Sequence, residues 1–259
     1  PFGVKLAHIH GGEKTLGAID NIFRHQISMA SILHFVSTDV YKQKVEALMG
    51  KSENIYNVGS MSLNNIDNFQ PIDKTSFFEK HQIKDEDYVL ITFHPDTLCV
   101  EENLYYVKQM KDTLVELSKT INCIITMPNA DTLGSIYRYE LNQLKLQIPD
   151  KILLVENFGK LNYFTAMYYA KILVGNTSSG IIEAASFNKY VINVGNRQKG
   201  RITSSNVFNV DFDSRNIVRK TFEVLNLPEV CFKNIYYKKQ SVNLIVKNLK
   251  LFFNTYKKS

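Results

Sequence analysis

Short apolar runs alternate with segments of helical periodicity along most of the 259 residues, and this alternation limits the fold more than any other feature. Val4 to Ile9 reads as a strand. Ile19, Ile22, Phe23, Ile27 and Ala30 then recur at helical spacing, with Asp20, Arg24 and His25 on or beside the polar face. Leu33 to Val36 is a second strand, Ser37 or Thr38 caps a helix running to about Met49, and Ile55 to Gly59 is a strand and turn. Strand–helix–strand order with short connections is the pattern of an α/β layer on a parallel sheet. Ser60 to Thr75 is polar, rich in Asn and aperiodic, with Pro71 near its end, and reads as a linker between domains. The alternation then resumes, with strands expected at Tyr88–Phe93, Cys123–Met127, Ile152–Val155, Lys171–Val174, Tyr190–Val194 and Val207–Val210. Helices are expected at Phe77–Ile83, Glu101–Lys119, Leu133–Leu146, Leu161–Ala170 and Ser214–Leu225, and an amphipathic one at Val242–Phe253.

The polar residues gather at one place in this pattern. His94, Asn129, Thr177, Ser178 and Arg197 each follow an expected strand, and in open α/β sheets ligands bind beyond the carboxyl ends of the strands. Around Thr177 the run Gly175-Asn176-Thr177-Ser178-Ser179-Gly180 joins a strand to a helix start. Small residues admit a ligand to the backbone, the first helical N–H groups suit an anion, and Glu183 one turn later is placed to accept from a sugar hydroxyl. Each residue also has a plain structural reading. The turn serves as a helix cap, His94 as a satisfied structural side chain, Asn129 after Pro128 as an Asx turn, and Arg197, Lys199 and Arg201 as solvated charges. It is their convergence on one sheet edge that favours a binding site.

Composition narrows the partners. A formal charge of +6, with no basic stripe interleaved with aromatics, suits a small polyanion and does not call for nucleic acid. Cys99, Cys123 and Cys231 are far apart and match neither a disulfide framework nor a metal-ligand spacing, so a reducing, cytoplasmic setting is expected. No apolar run approaches a membrane span, no signal peptide is visible, and no membrane partner is expected. The chain opens at Pro1 directly into turn and strand, which reads as a fragment of a longer protein.

These residues carry a family resemblance. His8-Ile9-His10-Gly11-Gly12-Glu13, then Ile19-Asp20-Asn21 and Arg24-His25, resemble the first-domain motif of the hydrolysing UDP-N-acetylglucosamine 2-epimerases, above all their bacterial sialic-acid-pathway branch. Thr92-Phe93-His94-Pro95, Pro128-Asn129-Ala130-Asp131-Thr132, Gly175 to Gly180 with Glu183, and Gly195-Asn196-Arg197-Gln198-Lys199-Gly200-Arg201 follow in the family's order, so that the resemblance covers nearly the whole chain. It implies two Rossmann-like domains facing a cleft, of the GT-B type, with the first domain incomplete. Residues 1–62 would be the later part of that domain, 63–240 the UDP-binding domain, and 241–259 a helix crossing back to the first. It also implies a reaction in which UDP is eliminated from UDP-N-acetylglucosamine to leave a glycal, to which water adds to give N-acetylmannosamine.

By the same resemblance His94, Asn129, Phe158, Thr177, Ser178, Ser179, Gly180, Glu183 and Arg197 would hold UDP, Glu183 at the ribose and Phe158 through its backbone beside the uracil. Proton transfer at the sugar would fall to Glu13, Asp20 and His10, with Arg24 and His25 orienting them. Many relatives carry Glu where this chain has His10, which shifts weight to Glu13 and Asp20. A phosphate-contacting Arg and a Gly-Asp-Arg segment of the relatives are not in this sequence, so little turnover is expected from these residues alone. No metal or redox cofactor is implied, and a homo-oligomer is. The same chemistry on a UDP-linked diacetamido-trideoxy sugar, a GT-B glycosyltransferase, and a non-catalytic nucleotide-sugar-binding remnant are the competing readings.

Overall fold

The computed structural model describes residues 4–16, 20–96, 100–128 and 134–256. In chain order the elements are β1 (Ala7–Ile9), α1 (Asp20–Ala30), β2 (Leu33–Val36), α2 (Asp39–Met49), β3 (Ile55–Asn57), α3 (Lys74–His81), β4 (Tyr88–Thr92), α4 (Asn103–Ser118) and β5 (Asn122–Thr126). They continue with α5 (Gly134–Gln147), β6 (Ile152–Val155), α6 (Gly159–Tyr169), β7 (Ile172–Gly175), α7 (Ser178–Ile182), β8 (Tyr190–Val194), β9 (Val207–Val210), α8 (Ser214–Leu225) and α9 (Ser241–Tyr256). The expected α/β class and every expected strand among the described residues are present, with ends that match or shift by up to three residues. No helix among the described residues is long and apolar enough to cross a membrane.

The chain divides into two compact units, one holding the described residues up to 69 except Leu16, together with 234–256, the other holding 70–233. In the first unit β1, β2 and β3 form a parallel sheet in that order, with His8 paired in register with His34. Leu33, Phe35, Val58 and Ile245 are buried together, and Leu244, Leu249 and Phe252 of α9 pack against them. Full burial of one such side chain contributes about 1.5–3 kcal/mol, so α9 is a structural part of this unit. The segment before α9 is fixed as firmly. Tyr236 is fully buried with its hydroxyl 3.1 Å from that of Tyr41, and Ser60 N donates to Tyr236 O at 2.8 Å.

Residues 63–69 and 234–240 therefore group with the first unit, not with the second domain to which their sequence position assigns them. Nor is the start of the expected linker free chain. Met61–Leu63 and Ile66–Asn68 form short 3-10 turns, and Leu63 is fully buried. α1 brings a second difference. Its apolar spacing is real, but Ile22, Phe23 and Ile27 are exposed and Ser28 is its buried residue.

The second unit is a six-stranded parallel sheet in the order β6-β5-β4-β7-β8-β9. Every residue of β4 is buried, which is why it reads as an unbroken apolar run. α4 covers one face through Met110, Leu114 and Leu117. α8 does so through Ile217, Thr221 and Val224, its start capped by Asp213, whose side chain accepts from Asn216 N at 3.0 Å. Chain order runs outward from β4 through β5 to β6, then restarts on its other side at β7. Such a reversal leaves a crevice beyond the carboxyl ends of the two central strands.

β4 and β7 meet tightly at that crevice. Gly175 has φ 137°, and a Cβ placed there would stand 1.9 Å from the Thr92 carbonyl oxygen. Only glycine fits without moving a central strand. Gly175→Ala is expected to lower the free energy of unfolding by more than about 3 kcal/mol, through clash and backbone strain together. The urea midpoint measures this, and an unchanged midpoint would mean that the two strands separate there at no cost.

Candidate functional site

The ends of β4 and β7 are joined by one side chain. Asn176, 2% exposed, accepts from His94 N through Oδ1 at 2.7 Å and donates through Nδ2 to His94 O at 2.8 Å. Its own carbonyl receives Arg197 NH1 at 3.2 Å and Gln198 Nε2 at 2.9 Å from the loop after β8. Three loops, following β4, β7 and β8, thus converge on Asn176. Thr177 has extended backbone, and its hydroxyl accepts from Ser179 N, leaving Thr177, Ser178 and Ser179 half-buried. The helix that starts at this turn is short. α7 has five residues, and Ala184–Phe187 continues it as a 3-10 turn, because Asn188 takes a left-handed conformation and ends it. Backbone N–H groups remain at the turn, but a helix so short adds little dipole.

Beside the turn lies a cavity of about 520 Å³, lined among others by Thr92, His94, Phe158, Tyr163, Thr177 and Ser179. That volume suits a small organic ligand. Phe158, which lines the cavity, is buried and held by packing, with its ring 5.9 Å from Phe77 and 5.0 Å from His81. Glu183 is buried one turn beyond Ser179. Burial, reinforced by the Glu183 charge and opposed by hydrogen bonds with the Ser179 and Thr92 side chains, raises the Tyr163 phenol above its usual range. A protonated Tyr163 therefore ties the turn to β4. Asn129 lies outside the described residues.

The first unit carries its own polar group. His10 has φ 64°, and its Nδ1 lies 2.8 Å from Glu13 Oε1. Ser37 Oγ donates to the same oxygen at 3.0 Å, and Arg24 NH1 donates to Glu13 O at 3.1 Å. Glu13 is 3% exposed, a carboxylate held by specific partners out of water. Gly12 makes the loop possible, since a Cβ there would stand 2.6 Å from Tyr41 O. Asn21 ties the loop to α1, accepting from Thr15 N at 2.9 Å and donating to Thr15 O at 2.6 Å. In the same unit His8 Nδ1 lies 2.9 Å from Ser28 Oγ.

This chain is matched over residues 1–250 by the family model described as UDP-N-acetylglucosamine 2-epimerase. It belongs to that family. It is 36% identical over 227 residues to a GDP/UDP-N,N'-diacetylbacillosamine 2-epimerase (hydrolyzing) of Campylobacter jejuni, covering 87% of this chain and 58% of the relative. It is 32% identical over 238 residues to a UDP-N,N'-diacetylbacillosamine 2-epimerase (hydrolyzing) of Legionella pneumophila, covering 91% and 61%. The chain thus spans about three-fifths of the length of these relatives. The Methanocaldococcus jannaschii UDP-GlcNAc 2-epimerase, solved with UDP-GlcNAc and UDP, shares the fold at a TM-score of 0.79 and 18% identity, covering 96% of this chain and 69% of that one.

The structure brings together His10, Glu13 and Arg24. Asp20 and His25 are exposed on α1. The spacing that puts Arg24 within reach of Asp20 is satisfied differently, since Arg24 turns to Glu13 O and, at 3.4 Å, to Asn21 Oδ1. In the second unit His94, Phe158, Thr177 and Ser179 line one cavity, and Arg197 reaches the same turn. Sequence reasoning missed Asn176, Tyr163 and Ser37. Asn176 sits inside the Gly175–Gly180 motif with no role read for it, Ser37 reads only as a candidate helix cap, a place that Thr38 takes, and Tyr163 carries no signal beyond its polarity.

Burial, with His34, Arg24 and His10 nearby, pushes the His8 imidazole from 6.5 down to about 4. The unfolded chain takes up that proton below pH 6.5 and the folded chain only near pH 4, so acidification across this window costs stability that is fully present above it. The urea midpoint of His8→Asn is expected to fall less steeply than that of the unaltered chain between these pH values. Parallel slopes would remove His8 from the account.

Proposed function

We propose that this chain is the UDP-gripping unit and part of the sugar-side unit of a hydrolysing 2-epimerase acting on a UDP-linked 2-acetamido sugar. The observation that carries this is the Asn176 bracket on His94 at the strand-order reversal, with a ligand-sized cavity beside it. Arg197, the His94 imidazole and the hydroxyls of Thr177, Ser178 and Ser179 supply the donors that leaving UDP needs as negative charge develops on it. Gly180 allows close packing behind the turn, Glu183 accepts from the ribose hydroxyls, and Asn129 and the Phe158 backbone contact the nucleotide. His94 and Arg197 are thereby fixed before the ligand arrives, which reduces the ordering cost of binding.

Glu13, Asp20 and His10 are the proton-handling groups in this proposal, and Arg24 and His25 orient them. A base takes the proton from carbon 2 while the electrons of the anomeric C–O bond leave with UDP, which forms the glycal. Water then adds across the double bond, and a proton returns to carbon 2 from the opposite face. Buried Glu13, with an imidazole and a hydroxyl on one oxygen, is the best-positioned of these carboxyl groups for proton exchange. The names of the Campylobacter and Legionella relatives favour a diacetamido-trideoxy sugar. A Neisseria meningitidis relative at 30% identity, named UDP-N-acetylglucosamine 2-epimerase, keeps N-acetylglucosamine as the second substrate.

Calorimetric titration of the chain with UDP is expected to give one site, and Arg197→Ala to weaken it about 30-fold, the cost of losing a charge-assisted hydrogen bond. Glu183→Gln should weaken uridine and UDP alike. UDP affinity indifferent to both changes would sink the assignment. For the reaction, the full-length enzyme incubated with each nucleotide sugar and no acceptor should release UDP and a free sugar inverted at carbon 2. A requirement for an acceptor would point instead to a glycosyltransferase.

A further inference from the structure

A second cavity in the same unit has no part in the site above. It holds about 530 Å³ at the carboxyl ends of β8 and β9, between the loop of residues 195–203 and the first turns of α8. Its lining separates by burial. Asn193 and Gln198, each 4% exposed, are the deep residues, while Lys199 and Arg219 are exposed at its rim. Arg201 adds positive charge, Lys220 is paired with Glu223 at 2.7 Å, and Asp211 brings a carboxylate. Asn193 Nδ2 donates to Asn209 Oδ1 at 2.8 Å, which leaves the Asn193 oxygen and the Asn209 amide nitrogen to face other groups. Gln198 spends its Nε2 on Asn176 O, and its Oε1 is buried without a hydrogen-bond partner. A buried amide oxygen left without a partner is costly, and a donor that reached it would recover that cost.

The chemistry of the wall selects the ligand. Cations answer an anionic group, and a set of side-chain amides, both donors and acceptors, answers hydroxyls. The lining has no aromatic ring and a single aliphatic side chain, Val210, so a nucleobase has nothing to stack on. The contrast with the first cavity is direct, since Phe158, Tyr163 and Met127 stand there. We propose that this second cavity binds an acidic sugar, a single sugar ring carrying a carboxylate or a phosphate. Gln198 links it to Asn176, and so to the bracket on His94, which makes it a place from which a bound sugar acid acts on the UDP turn.

The test is a calorimetric titration of the 259-residue chain, first saturated with UDP, with glucuronate, with glucose 6-phosphate and with glucose. One or both acidic sugars are expected to bind saturably, and the two arms tell carboxylate from phosphate. Glucose should bind at least about tenfold more weakly, and the double variant Lys199→Ala/Arg219→Ala should lose about tenfold of the acidic-sugar affinity with its UDP titration unchanged. Both replaced side chains are exposed, so the fold tolerates the change. The idea fails if neither acidic sugar binds, if glucose binds equally well, or if the double variant binds like its parent. It fails too if UDP competes directly, the apparent acidic-sugar affinity falling in proportion to UDP without levelling off, which would assign the anion to the first cavity. A chain that takes up no UDP refutes the UDP reading alone, because the acidic-sugar titrations still judge the second cavity.

Discussion

Strands β4 and β7 abut so closely at Thr92 and Gly175 that no side chain fits between them, and the organisation of the larger unit follows from that contact. Because the strands end side by side, a single amide can span their outlets. Asn176 does so in both directions, and its carbonyl gathers the loop after β8 as well. A neutral hydrogen bond contributes only about 0.5–1.5 kcal/mol net, but an amide buried as deeply as this one exacts more when it loses a partner. The bracket thus defines a geometry more than it adds stability, and a site that must meet developing charge needs geometry fixed in advance.

The second unit was the more legible in sequence, for a physical reason. A strand covered on both faces must be apolar throughout, so β4 and β7 stand out as runs, and α8 announces itself by one amphipathic stripe and an Asp at its cap. His94, Thr177 and Arg197 were legible because strand ends are where an α/β sheet presents ligands, and the three do converge. Tyr163 was not, since nothing local distinguishes a phenol that reaches the next loop from one that packs. The turn announces the start of α7, but the end of the helical stretch at Asn188 is set by a left-handed backbone conformation that apolar spacing does not mark.

The first unit shows the limits of periodicity. The stripe on α1 correctly predicts a helix, yet Ile22, Phe23 and Ile27 are exposed, because a pattern states which face is apolar and not what lies against it. The Asp20–Arg24 spacing failed similarly. Helical neighbours are within reach, but Arg24 has a better acceptor in a carbonyl from the preceding loop. What does hold Glu13 comes from three separate places in the sequence, His10, Ser37 and Arg24, and no local window contains them together.

The return of the chain at Asn234 makes the first unit discontinuous, with its early strands and α9 separated by the whole of the second unit. During synthesis from the amino end, β1, β2 and β3 emerge long before the helix that covers Leu33 and Phe35. The second unit is contiguous, and its core can close while those strands wait. Its folding also holds residues 70 and 233 in one body, which replaces a long floppy loop by a rigid one and so lowers the entropic cost of bringing α9 home. The order of birth and the order of completion are therefore opposite. The Glu13 loop, made before the strands of the second unit, belongs to the unit completed after it.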